Sequence, residues 1–112
     1  MTLFHERERA FENMFAHEEE MRFLVSARRN QLFARWAAEQ LGLRGAECHR
    51  YIRSFAEGAV RPESEEALID HVRMDFLGSG VEASLSSIRA AMAKAAVQAL
   101  RQVRTETRPQ TA

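Results

Sequence analysis

At 112 residues the chain has room for one domain and one modest core, and 46% apolar with 29% charged residues is an ordinary globular balance without the signature of disorder. Sixteen basic side chains match sixteen acidic ones, which weighs against a nucleic-acid binder, because phosphate neutralisation needs a surplus of positive charge. The single cysteine, Cys48, rules out an intramolecular disulfide, and neither a signal-like start nor an apolar run approaching the roughly 20 residues of a bilayer span is present.

A soluble, cytoplasmic, all-α protein is the expectation, since five glycines, two prolines and few β-branched residues leave Ala, Leu, Glu and Arg dominant. No glycine or proline interrupts the chain before Gly42, which is placed to stop a long first helix at Leu41 in a left-handed turn. From Val25 onward, Leu32, Phe33, Trp36, Ala37 and Leu41 recur at threes and fours as a core-facing stripe, with Trp36 its expected centre. Before about residue 20 the apolar positions thin to Phe4, Phe11, Met14 and Phe15. Residues 1–22 hold six acids and three bases, a net −3. This strip is too sparse to anchor a helix permanently.

A second helix is expected from Gly45 or Ala46 to about Glu57, ended by Gly58, with Cys48, Tyr51, Ile52, Phe55 and Ala59 on its apolar face. Arg61-Pro62-Glu63-Ser64-Glu65-Glu66 reads as a turn and helix start, its acids complementing the positive helix end. Leu68, Ile69, Val72 and Phe76 form the third stripe, closed by Gly78-Ser79-Gly80. The fourth helix is expected to be capped by Ser84 in preference to Ser86 and to run through Leu85, Ile88, Met92, Ala95, Ala99 and Val103. The tail from Thr105, with Pro109, is expected to fray. The architecture predicted is a compact four-helix bundle over 20–105, a mobile or loosely helical arm over 1–19 and a frayed tail over 106–112.

Sites for chemistry are not visible. His5 and His17 lack a histidine partner at the i+4 spacing that clamps a metal on a helix, and adjacent Cys48 and His49 point to different sides. Cys48 lies on an apolar stripe and reads as a small buried thiol. Gly78-Ser79-Gly80 is too short for a phosphate loop, and Glu18-Glu19-Glu20 fan around a helix as a solvated run. No enzyme, cofactor or metal is predicted. His17 beside three glutamates is a candidate pH switch, against the plainer reading of a surface histidine.

The distinctive feature is the arm. Spacings of seven and four put Phe4, Phe11 and Phe15 on one helical face, which either packs on its own bundle or lies in a groove of another protein. Arg7, Glu8 and Glu12 would then orient the contact.

The segments Phe4-His5-Glu6-Arg7-Glu8-Arg9-Ala10-Phe11-Glu12, Phe15-Ala16-His17-Glu18-Glu19-Glu20 and Arg22-Phe23 resemble the ζ-type ATPase inhibitor subunit family of the alphaproteobacterial F-type ATP synthase. The likeness continues through Ala27-Arg28-Arg29-Asn30, Trp36-Ala37-Ala38-Glu39 and Leu41-Gly42-Leu43, and more weakly through Val72-Arg73-Met74-Asp75, Gly80-Val81, Ile88-Arg89 and Met92. The resemblance implies a four-helix fold whose N-terminal segment inserts at a catalytic α/β interface near the γ subunit and blocks ATP hydrolysis. It also implies partner-binding positions Phe4, Arg7, Glu8, Phe11, Glu12, Phe15 and His17, and a location at the inner face of the inner membrane when bound, without membrane insertion. Weak nucleotide binding is implied by family analogy alone. Departures from the family pattern are Met14, Leu24 and Gln31 in place of lysines, Phe33-Ala34 in place of leucine and glycine, and Val60-Arg61-Pro62-Glu63 in the acidic loop. Two rival readings are a diverged helical module with another partner, and a weak nucleic-acid binder using Arg28-Arg29 and the last helix. In that helix Arg89, Lys94, Arg101, Arg104 and Arg108 stand against Glu106, a net +4.

Overall fold

The computed structural model describes residues 3–57 and 64–107, apart from the side chains of Phe4, Phe11, Phe15, Ala56 and Glu57. Four helices follow in order: α1 (Leu3–Gln40), α2 (Gly45–Glu57), α3 (Glu65–Ser79) and α4 (Leu85–Thr107). The all-α expectation and the four-helix count hold for these residues.

Helix ends follow local chemistry. Past Gln40, the Leu41 and Leu43 amides donate to the Ala37 and Ala38 carbonyls at 2.9 and 3.0 Å, and Gly42 adopts the left-handed φ of 72° that such a stop requires. Ser64 caps α3, its hydroxyl accepting from the Ala67 amide at 3.2 Å, while Ser84 caps α4 by accepting from the Ser87 amide at 3.0 Å. Ser84, not Ser86, is therefore the cap. The α3 terminus lies later than Gly78 suggests: the helix runs through that glycine to Ser79, and Gly80 takes the left-handed position with φ 70°. Gly58, Ala59 and the turn Val60-Arg61-Pro62-Glu63 fall outside the described residues, as does Pro109.

One core joins all four helices. Phe33, Ala34 and Ala37 from α1 meet Phe55 from α2, Leu68, Ile69, Val72 and Phe76 from α3, and Ile88, Met92 and Ala95 from α4. Ala99 and Val103 extend the buried line along α4, whereas Leu85, expected to head it, is exposed at the helix start. Three buried alanines on α1, at 34, 37 and 38, remove side-chain bulk where neighbouring helices approach.

The aromatic centre differs from the expectation. Phe33 is fully buried, while Trp36 is only half-buried, stacked on Phe33 at 6.0 Å and tilted against Phe76 at 5.7 Å. The indole is too large to be enclosed by a bundle of this size and shields the phenyl ring instead. Cys48, expected to be buried, is half-buried. The expected fraying from Thr105 does not occur at that point: α4 stays helical to Thr107, and the Thr105 and Thr107 hydroxyls donate back to the Arg101 and Val103 carbonyls at 2.8 Å each.

Replacing Phe33 by alanine leaves a large cavity under Trp36, with an expected cost of about 3–5 kcal/mol. Urea denaturation followed by helical circular dichroism should show the midpoint falling with an unchanged slope; a loss below about 1 kcal/mol would show that Phe33 is not the packing centre.

Candidate partner-binding surface

The two longest helices run antiparallel and differ in length, α1 having 38 residues and α4 having 23. Their pairing is marked at one end by Trp36 beside Ser87 and Ala91, and at the other by Met21 and Val25 beside Leu100 and Arg104. At about 1.5 Å per residue, the 18 positions from Leu3 to Glu20 therefore continue roughly 27 Å past the last α1 positions that line the α1–α4 seam. The molecule is correspondingly elongated, 66 × 31 × 24 Å.

Every described side chain from Leu3 to Glu20 is exposed, and Met21 is the first that is not. Arg7, Glu8, Glu12 and His17 are among these exposed residues. The backbone at Phe4, Phe11 and Phe15 belongs to the same unbroken helix. By helical register, about 100° per residue, positions 4, 11 and 15 fall within about 60° of core positions 33 and 36, so one stripe serves both halves of α1. Positions 7 and 8 flank this arc, one on either side, position 12 lies farther round on the side of position 8, and position 17 lies roughly 140° away.

The root of the projecting half is held by polar contacts that periodicity did not reveal. The Arg28 guanidinium donates to both Glu106 carboxylate oxygens at 2.8 Å and to the Gln102 amide oxygen at 2.7 Å, tying α1 to the end of α4. That pair raises the Arg28 pKa and lowers that of Glu106, in each case chiefly through the hydrogen bonds. Beside it, Arg29 donates twice to the Asn30 side-chain oxygen, at 3.0 and 2.9 Å, and once to Glu65 at 3.2 Å. Asn30 is the one buried polar residue of the described core, and no buried side-chain polar atom there lacks a partner. The only sequence signal for either cluster was the Ala27-Arg28-Arg29-Asn30 match itself. Both arginines are engaged with acceptors within the chain. Arg89 is likewise paired, with Glu66 at 3.1 Å.

At the far end of the bundle, the Tyr51 hydroxyl donates to Asp75 at 2.8 Å, and His71 lies 3.3 Å from the same carboxylate oxygen. Burial, then the bond to Asp75, drives the Tyr51 pKa well above that of an ordinary phenol, so it stays a donor. Among the described residues no cluster of His, Cys, Asp and Glu could hold a metal ion, and no helix is long and apolar enough to cross a membrane.

A family model described as ATPase inhibitor subunit zeta matches residues 1–102, nearly the whole chain and both halves of α1. The chain belongs to this family. Neither the curated proteins nor the solved structures gave a match. Zeta-family membership makes this chain an ATPase inhibitor subunit by class, a regulatory kind of protein that associates with an ATPase. The family departures at Phe33 and Ala34 both prove to be fully buried, in a core that accommodates them by stacking Trp36 over the larger ring.

Because Glu106 has its pKa depressed by Arg28, the tie it makes is present above the ordinary glutamate range and is lost as pH falls through its lowered folded value. The protection of the last-turn amides of α4, taken relative to the intrinsic exchange rate at each pH, should therefore fall on acidification below the ordinary glutamate range. In Glu106→Gln that turn should exchange faster already at neutral pH, with the acid response reduced; an unaltered profile would deny the Arg28 bond a role in holding α4's end.

Proposed function

We propose that this zeta-family subunit inhibits ATP hydrolysis by the F-type ATP synthase, inserting the projecting half of α1 at a catalytic α/β interface near the γ subunit. The observation that carries this reading is the unpacked helix: Leu3–Glu20 extends beyond the seam with all its described side chains exposed. The resemblance over Phe4–Phe23 supplies the direction, since the family likeness is densest in that segment.

Phe4, Phe11 and Phe15 would enter the partner groove, with burial of each ring contributing roughly 1.5–3 kcal/mol. Helical backbone to Leu3 lowers the ordering cost, about 1–2 kcal/mol per residue, that a disordered peptide would bear. Arg7, Glu8 and Glu12 would fix orientation from the flanks of the aromatic stripe. His17 would contact a second wall, which suits a helix enclosed between two subunits better than one lying on a flat surface. The bundle is too broad to follow the helix inward and would halt outside, so inhibition is steric obstruction of closure and rotation, without chemistry by this chain. On this reading the protein works at the inner face of the inner membrane, through the α, β and γ subunits.

Deleting residues 1–18 is expected to abolish inhibition of the isolated catalytic sector in an ATP hydrolysis assay. The bundle should keep its helical signal and cooperative melting, since its core residues all lie beyond Asn30 in sequence. Full inhibition by the truncated protein would refute insertion.

A further inference from the structure

Where α1 leaves the bundle, an open groove runs between it and α4, lined by Met21, Arg22, Val25, Ser26, Leu100 and Arg104. On α4 a further exposed apolar side chain, Val97 at 51%, stands three residues before Leu100. Arg104 lines the groove from α4 and Arg22 from α1, and Arg101 stands three residues before Arg104 on the exposed face of α4. None of these three cations has an ion pair among the described residues. Of the neighbouring acids, Glu106 is already bound by Arg28, while Glu18 stands one turn before Met21 and Arg22 on α1. The chain as a whole has no net charge, so this cationic border is a local concentration and not a reflection of general basicity.

We propose that this groove is a second docking surface, taking an acidic amphipathic helix of the same ATPase at the outer rim of the interface. The inference rests on the insertion reading for its geometry. With the projecting half of α1 inserted, the groove at its root is the part of the bundle brought against the rim. Apolar floor and cationic border together fit a helix with one apolar face flanked by Asp and Glu. A rim contact joined rigidly to the inserted helix makes the second binding event intramolecular, strengthening attachment without new contacts in the catalytic interface.

The test uses the full chain and the purified catalytic sector, measuring direct binding and ATP hydrolysis side by side. In Arg101→Glu/Arg104→Glu, both exposed and outside the core cluster, binding should weaken by at least about tenfold, with complete inhibition still reached at saturation. Arg101→Lys/Arg104→Lys should bind nearly as the unaltered chain does, and the glutamate variant should lose most of the salt dependence of association. Unchanged binding by the glutamate variant, with inhibition intact, would overturn the groove alone. Binding that is charge-sensitive but without inhibition would overturn the insertion reading and leave the groove supported. No binding by the unaltered chain would overturn both. A homodimer in sedimentation equilibrium that the glutamate variant dissociates would assign the groove to a second copy and so overturn the ATPase partner. Thermal melting of each variant confirms that a lost contact is not lost folding.

Discussion

The mismatch in length between α1 and the helices that cover it governs the rest of this structure. Phe33, Ala34 and Ala37 commit the C-terminal half of α1 to the core, where α2, α3 and α4 close around it. α4 is only 23 residues long, and its side of the α1–α4 seam reaches Met21 through Leu100 and Arg104. Beyond that, a helix continuous in backbone terms has no described side chain shielded from solvent. The division between a packed and an unpacked half is thus produced without a linker, by ending the cover before ending the helix.

Polar ties also join the helices. Each links two helices: Arg28 to Glu106 and Gln102, Arg29 to Glu65, Arg89 to Glu66, and Tyr51 to Asp75. Most are partly or fully exposed, where ion pairs contribute little to stability, so their effect is chiefly on register. Buried Asn30 is satisfied within α1 itself, its side-chain oxygen accepting from the neighbouring Arg29 and so holding that guanidinium toward Glu65. The two ties made by α1, from Arg28 and Arg29, lie close to the turn at which its cover ends.

Inhibition by an inserted helix places opposing demands on one chain. The inserted segment must be free of its own core, yet mechanically joined to a body too wide to follow it. A single helix shared between both parts meets these demands, because force on one half passes directly to the other. Charge follows the same division: residues 1–22 are net acidic, while the exposed strip of α4 at the root is basic. Family membership and the unpacked helix support the same assignment from independent directions, one from likeness over residues 1–102 and the other from burial.

Period and punctuation in the sequence determined the four helices, their glycine and serine termini, and most of the core: Phe33, Leu68, Ile69, Val72, Phe76, Ile88 and Met92 all occupy expected stripe positions. The early segment that binds a partner in the proposed mechanism was legible as an aromatic strip too thin for a self-sufficient helix, and the zeta likeness was legible in the same residues. Tertiary structure alone decided that Trp36 lies at the rim of the core and not its centre, that Asn30 is buried, and that Glu106 pairs with Arg28 across the α1–α4 seam. It also decided that Arg104 of α4, without an ion pair among the described residues, shares a groove with Met21 and Val25. The physical reason is that helical periodicity reports which face of one segment is apolar. Which polar groups meet depends on the axial offset between helices distant in sequence, and that offset is set only when the core closes.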